Sequence, residues 1–262
     1  MHPLGEKYLR KSALPTIFCP GCGDGTILNA MIRVVDKIGL EKFNFVSGIG
    51  CSAWIPVFIN TDVIHSLHGR AIAVATGLKL SQPDKHVVVF TGDGDCLGIG
   101  GNHFIHAARR NLNITVVMIN NYIYGMTGGQ TAPTTPMNVS TKTAPYGNAE
   151  PPFSAEALAI GAGATFVARH TAAYPRLLQD DLIKAIQHDG FSFVEVMTQC
   201  PTQAGRIIYG SADPSFLFNE LKSRSVLNKK QEVPEGSFRV GILHQDIGKP
   251  SYTPAIPKED AK

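Results

Sequence analysis

Two short polar runs close two apolar ones, and their residue types could hold a charged ligand. Asp93 lies in Thr91-Gly-Asp-Gly-Asp95, directly after Val87-Val-Val-Phe90; Asn121 closes Ile119-Asn-Asn121 about two dozen residues on. A carboxylate oxygen and an amide oxygen are hard donors, suited to Mg²⁺ carrying a diphosphate. Gly92 and Gly94 let backbone approach phosphate closely, and the start of a following helix favours negative charge. A dinucleotide fingerprint begins in the same way. Here, however, the third glycine is Gly98, one place late for G-x-G-x-x-G.

A second reactive group is made of cysteines: Cys19-Pro-Gly-Cys22, then single residues at 51, 96 and 200. A turn of Pro and Gly directs two thiolates at one metal. A zinc knuckle usually brings a second close pair, which is missing. A redox dithiol sits between a strand and a helix. Ile27, Met31, Val34 and Ile38 do mark a helix after the pair, but residues 12–18 make a poor strand. Iron–sulfur ligation accepts one pair with distant single cysteines. Spacing leaves these chemistries open, and does not say which singles would join the pair.

The elements that must position these groups are strand-like runs at Phe43–Ser47, 87–90, 114–119, 165–167 and 191–196, alternating with helical stretches. That alternation predicts an α/β fold with a doubly wound, mostly parallel sheet, whose ligands bind at the carboxyl ends of the strands. With 262 residues, 44% of them hydrophobic, the chain can bury one large core or two small ones. A net charge of +3, without a basic stripe interleaved with aromatics, argues against nucleic acid. No apolar stretch approaches the roughly 20 residues of a membrane span. Met1-His2-Pro3 does not open a signal peptide, so a cytoplasmic protein is expected. Residues 131–152, rich in Pro, Thr and Asn, read as a long irregular loop of the kind that is functional or covers a partner. We expect one domain over residues 1–220 and a C-terminal arm over 221–262. In that arm Lys222, Arg224, Lys229 and Lys230 crowd together, and Pro234, Pro250, Pro254 and Pro257 break any long element. Residues 238–243 form a short strand in this reading, 232–252 pack on another subunit, and 255–262 are a solvated tail.

Five motifs follow one another in order: Phe18-Cys-Pro-Gly-Cys-Gly23, Gly48-Ile-Gly-Cys-Ser52, His65-Ser-Leu-His-Gly-Arg70, Gly92-Asp-Gly-Asp95 and Tyr124-Gly-Met-Thr-Gly-Gly-Gln130. Together they resemble the β subunit of 2-oxoacid:ferredoxin oxidoreductases over about residues 10–245, and Gly92-Asp-Gly with Asn120-Asn121 resembles the thiamine diphosphate motif. The resemblance implies the diphosphate-binding half of a thiamine diphosphate-binding fold. It implies Mg²⁺ on Asp93, Asn121 and the Ile123 carbonyl. Cofactor contacts would come from Ile49, Gly50, Cys51, Ser52, His68, Gly94, Asp95, Gly125 and Met126. For His68, helix capping is the plainer reading of the residue alone. A [4Fe–4S] cluster would rest on Cys19, Cys22, Cys51 and Cys200, leaving Cys96 as a small buried hydrophobe.

No catalytic residue is assigned to this chain. The resemblance gives the glutamate beside the aminopyrimidine ring to a partner α subunit, so activity needs a heteromer. The implied reaction is coenzyme A-dependent oxidative decarboxylation of a 2-oxoacid with reduction of ferredoxin. Phe18-Cys-Pro-Gly-Cys-Gly23 and the motif at Tyr124 look most like the 2-oxoglutarate type. Ala53 and Trp54 follow Ser52 where related enzymes carry a basic residue, which keeps branched-chain and aryl 2-oxoacids open. Outside this class stand a nucleotide-binding subunit and a zinc-stapled scaffold.

Overall fold

The computed structural model describes residues 2–227 and 231–252. The expected tail at 255–262, with Lys229 and Lys230, lies outside the described residues. The chain opens with α1 (Pro3–Tyr8) and α2 (Gly23–Ile38), then β1 (Phe43–Ser47), β2 (Val63–His65), α3 (Ala71–Ser81) and β3 (His86–Gly92). A π-helical turn (Gly94–Ile99) leads into α4 (Gly101–Arg110) and β4 (Thr115–Asn120). A two-residue hairpin, β5 (Ile123–Tyr124) with β6 (Gln130–Thr131), precedes α5 (Ala155–Gly161), β7 (Phe166–Thr171), α6 (Pro175–Gln187) and β8 (Ser192–Met197). The rest comprises α7 (Ala204–Ile208), α8 (Pro214–Ser223), β9 (Ser225–Val226), β10 (Phe238–Arg239) and β11 (Gly241–Gln245).

Seven strands form one sheet in the order β11-β7-β8-β4-β3-β1-β2, all parallel except β11. Its central strands are apolar throughout because both faces are covered. In β3, Val88 and Phe90 join one core with Ile27, Met31 and Val34 of α2 and Leu178 and Leu182 of α6. Val87 and Val89 point the other way, into a core with Ala71 and Ile72 of α3, Phe104 of α4 and Ala155 of α5. The doubly wound architecture thus follows from strand side chains alternating between two apolar faces. The five expected strands are present, each shifted or extended by a residue or a few, except β1, whose limits are as read.

The C-terminal stretch returns to its own chain. β11 adds antiparallel to β7, with Gly241 opposite Arg169 and a register irregularity between Ile242 and His244. Asn111, in a left-handed conformation at the end of α4, donates from Nδ2 to the Pro250 carbonyl at 3.0 Å. The same side chain accepts from the Phe191 amide at 2.8 Å and so ties that return to the start of β8.

Candidate functional site

Strand order reverses between β1 and β3, and the loops leaving β1, β3 and β4 meet there at the carboxyl edge of the sheet. Between them lies a cleft of about 540 Å³, counted out to its open mouth. It brings together Ile49, Gly50, Cys51 and Ser52 from the first loop, His68, then Asp93, Gly94 and Asp95, then Asn121, Ile123, Gly125 and Met126. Asp24, to which the sequence assigned no role, lines it as well, with Tyr124 and Thr127 of the motif that begins at Tyr124. Met126 and Ile49 stand exposed at the mouth, whereas Ser52, Asp93 and Asp95 are buried.

The two carboxylates of Gly-Asp-Gly-Asp differ in what holds them. Asp95 is engaged on both oxygens. Oδ1 accepts from the Gly69 amide at 2.6 Å and the Ile49 amide at 3.4 Å, and Oδ2 accepts from Thr91 Oγ1 at 2.6 Å. It therefore clamps the loops after β1 and β2 to β3, while still lining the cleft. His68 Nδ1 lies 3.7 Å from the same Oδ1. Asp93 has a side-chain donor, Thr134 Oγ1, on Oδ2 only. Burial pushes its carboxyl up to about 7, against the opposing pull of the Thr134 hydrogen bond. A buried carboxyl with that affinity for a proton suits a cation.

The asparagines also divide. Asn120 points inward: Nδ2 donates to Glu195 Oε1 at 2.8 Å and Oδ1 accepts from the Tyr122 amide at 3.0 Å. Asn121 lines the cleft, its Oδ1 accepting from the Ile123 amide at 3.1 Å. Gly94 is required by Tyr124, whose ring would lie 2.2 Å from a Cβ there and whose hydroxyl donates to the Gly94 carbonyl at 3.1 Å.

An α-helix was expected directly after this turn, but residues 94–99 are π-helical. The Gly100 amide reaches the Asp95 carbonyl at 3.1 Å, five residues back, and Gly69 packs on Ile99 and Gly100 too closely for a Cβ. Single π-turns of this kind recur at functional sites.

The cysteines gather beside the cleft from segments 180 residues apart in the chain, counted between Cys19 and Cys200. The Gly23 amide donates to the Gln199 carbonyl at 3.2 Å, and Gln199 Nε2 donates to the Gly21 carbonyl at 3.2 Å, so the Cys19–Cys22 turn lies against the residue before Cys200. Edge-to-face packing of Phe18 on Phe58, at 5.3 Å between centroids, brings the same turn to the chain that follows Cys51. A Cβ on the cleft residue Gly125 would lie 3.8 Å from Cys200 Sγ.

Burial raises the thiol of Cys51 to about 12 and raises those of Cys22 and Cys200. The Asp24 carboxylate, then Cys200 and Cys19, push Cys51 further in that direction, as nearby like charges do. Thr198 Oγ1, buried beside Gly23, has no hydrogen-bond partner among the described residues. Cys96 is set apart, 1% exposed in the core under α3 and α4. Among the described residues, no three His, Cys, Asp or Glu side chains converge tightly enough to hold a single metal ion.

Known proteins resemble this chain in sequence and in fold. Residues 48–196, more than half of the chain, match the thiamine pyrophosphate (thiamine diphosphate) enzyme, C-terminal TPP binding domain. The 2-oxoglutarate synthase subunit KorB of Methanocaldococcus jannaschii is 48% identical over 265 residues, covering 98% of this chain and 97% of its own. This chain belongs to the β-subunit family of 2-oxoacid:ferredoxin oxidoreductases. As a member it is one subunit of a multi-subunit oxidoreductase, and it carries the thiamine diphosphate-binding domain. The corresponding subunit of Archaeoglobus fulgidus is 57% identical over 197 residues, 74% of this chain and 73% of that one. A solved 2-oxoglutarate:ferredoxin oxidoreductase from Magnetococcus marinus, with 2-oxoglutarate, coenzyme A and succinyl-CoA bound, superposes with a TM-score of 0.84 at 35% identity, over 95% of this chain and 86% of that one. No helix among the described residues is long and apolar enough to cross a membrane.

Several residues of the site carried no motif. Glu195 was the most legible: a carboxylate inside the apolar run 191–196 must find a partner when buried. It finds Arg169 Nε at 2.7 Å, and Arg169 also binds Glu156. Thr134 lay in the Pro- and Thr-rich loop, where nothing distinguished it from its neighbours. Asp24, the second residue of α2, is buried at the cleft, and burial raises its carboxyl to about 6.

Proposed function

We propose that this chain is the thiamine diphosphate-, Mg²⁺- and [4Fe–4S]-binding β subunit of a cytoplasmic 2-oxoglutarate:ferredoxin oxidoreductase. The reaction converts 2-oxoglutarate and coenzyme A to succinyl-CoA and carbon dioxide, with two electrons passing singly to ferredoxin. Asp93, Asn121 and the Ile123 carbonyl hold Mg²⁺, an all-oxygen donor set appropriate to that ion. Cys19, Cys22, Cys51 and Cys200 hold the cluster. A cluster brings its own irons and sulfides, and so fills a wider space between thiolates than one ion does. Thr198 Oγ1 offers a free hydroxyl beside them.

When bound, thiamine diphosphate supplies the carbanion chemistry that releases carbon dioxide, and the cluster takes up electrons one at a time. The protein supplies position. Asp95 fixes the loops that carry Ile49, Gly50 and His68, Gly94 and the π-turn present backbone to the diphosphate, and Gly125 and Met126 border the mouth. A partner α subunit supplies the glutamate for the aminopyrimidine ring, so the β subunit works only in the heteromer.

One observation carries the reading: cleft and cysteine corner share residues. Cys51 lines the cleft, and Cys200 lies beside Gly125 of the same cleft, so a cofactor in the cleft and a cluster at the corner would sit side by side. The 2-oxoglutarate assignment is supported by the names of the relatives at 48% and 57% identity and by the ligands of the solved relative. The test is iron and sulfide analysis of anaerobically purified protein, with an EPR spectrum after dithionite reduction. About four irons and four sulfides per chain are expected for a [4Fe–4S] centre. Zinc without sulfide, in protein kept from air throughout, would remove the electron path. With the α subunit added, 2-oxoglutarate should reduce ferredoxin faster than a branched-chain 2-oxoacid does.

A further inference from the structure

Asp93 does not stand alone at the edge of the sheet. A line of close polar contacts reaches it through Thr134 from a charge pair on β8 and β7, the second and third strands over. Glu156 on α5 binds Arg169 on β7, and Arg169 Nε donates to Glu195 Oε2 on β8 at 2.7 Å. Glu195 Oε1 accepts from Asn120 Nδ2 at the end of β4 at 2.8 Å. Asn120 Oδ1 lies 3.1 Å from Thr134 Oγ1, and Thr134 Oγ1 contacts Asp93 Oδ2. Asp93, Asn120, Thr134 and Glu195 are all at most 3% exposed.

The chemistry of each link fixes the next. Glu195, paired with a guanidinium, is an acceptor, so the Asn120 amide must turn its NH₂ toward it. That leaves Asn120 presenting only oxygen to Thr134. An oxygen donates nothing, and a hydroxyl has one proton to give. With a cation bound and Asp93 ionised, the charged acceptor takes that proton in preference to the neutral amide. Thr134 is itself pinned. Its neighbour Thr135 donates from Oγ1 to the Tyr122 carbonyl at 2.6 Å, and Asn148 Nδ2 donates to the Thr135 carbonyl at 2.9 Å. The Pro-rich loop is therefore tied to the Asn120–Tyr122 turn through Thr135 and braced from within by Asn148.

We propose that Thr134 is the positioning residue for the metal-binding carboxylate. Its hydroxyl donates to Asp93 Oδ2, so that Asp93 meets the cation through its other oxygen alone, in an orientation set by the loop that carries the threonine. The inference rests on the Mg²⁺–thiamine diphosphate reading above. Groups that hydrogen-bond a metal ligand from behind typically govern about 10- to 100-fold in metal affinity.

The experiment is calorimetric titration with Mg²⁺, at saturating thiamine diphosphate, of this chain assembled with its α subunit. Thr134→Val keeps shape and removes the hydroxyl; Thr134→Ser restores it. The valine variant should bind Mg²⁺ about 10- to 100-fold more weakly, and the serine variant should return to about the parent value. Should valine fail to pack, Thr134→Ala is read in the same way. Parent-like Mg²⁺ affinity in the valine or alanine variant overturns the proposal, as does a serine variant as weak as valine, which would mean packing rather than the hydrogen bond. If the parent complex itself binds no Mg²⁺–thiamine diphosphate, the functional reading fails and this inference with it.

Discussion

The floor of the cleft and the cysteine corner are neighbours built on opposite terms. On the floor, Asp95, Asn120 and Asn121 have protein donors or acceptors already in place, and the glycines clear the space a ligand needs. At the corner, three half-buried thiols have no cationic partner among the described residues, and burial, with the Asp24 carboxylate beside them, holds them protonated. The floor is assembled from strand ends adjacent in the sheet; the corner is assembled from loops between residues 19 and 200. A preorganised site costs little to fill, whereas thiolates gathered without metal become favourable only when metal replaces their protons. The two halves should therefore fail separately.

The largest separation is expected from Asp93→Ala. Mg²⁺-dependent binding of thiamine diphosphate should fall at least about 100-fold with the loss of a metal ligand, whereas iron content stays at the parent level. Titration of the cofactor beside an iron assay checks both, and loss of iron with retained cofactor would mean that the two sites are interchanged. Cys51→Ser is the reciprocal test. Iron should drop to background while cofactor affinity, followed by calorimetry, shifts by only about threefold, because a hydroxyl keeps the cleft wall but is a poor iron ligand.

Asp95→Asn probes the clamp itself. An amide offers one acceptor oxygen where the carboxylate offers two, so one of the donors from Gly69 or Thr91 loses its partner. A loss of about 1–3 kcal/mol in unfolding free energy is expected in denaturant melts. If stability is unchanged, the clamp holds nothing.

The smallest effect is graded and comes from pH. The Asp93 carboxyl is raised to about 7, above the ordinary carboxylate range, so the empty fold favours its neutral form. Its contribution to stability is full below about pH 4 and is lost as pH rises through 7; Asp24, at about 6, acts in the same direction. Mg²⁺ must displace the Asp93 proton, so its affinity should weaken by about tenfold per pH unit below 7 and level off above. Calorimetry in buffers of different ionisation enthalpy should count about one proton released at pH 6. No proton release there would mean that Asp93 is already ionised and that the floor is less dry than its burial indicates.

What could be read from residues alone follows the same division. The strand runs announced themselves because both sheet faces are covered, and the runs 43–47, 87–90 and 114–119 ended close to the loops that line the cleft. β2 escaped notice, being three half-exposed residues at the sheet edge, Val63, Ile64 and His65. β11 appeared only as part of a short apolar patch, because Gly241–Gln245 mixes glycine, histidine and glutamine with two aliphatics. The π-turn depends on Gly69 meeting Gly100, a contact between residues that no local pattern connects. Asp95 was expected beside the diphosphate, and its carboxylate proves to be spent on backbone amides, which only the folded path of residues 48–69 makes visible. Thr134 was hidden for a simpler reason: one hydroxyl among many in a loop has no periodicity.

β11 gives the molecule a temporal order. Every ligand residue proposed above precedes position 201, yet the strand that covers the outer side of β7 is formed by residues 241–245. During synthesis at about 5–20 residues per second, the sheet would display a bare hydrogen-bonding edge for several seconds after β7 and β8 have paired. Such an edge is a template for pairing with another nascent chain. The late strand, held down by Asn111 through the Pro250 carbonyl, closes that edge. Truncation before residue 241 should therefore give a protein that keeps every proposed ligand residue but aggregates as it is made, detectable as pelleted product in a cell-free translation.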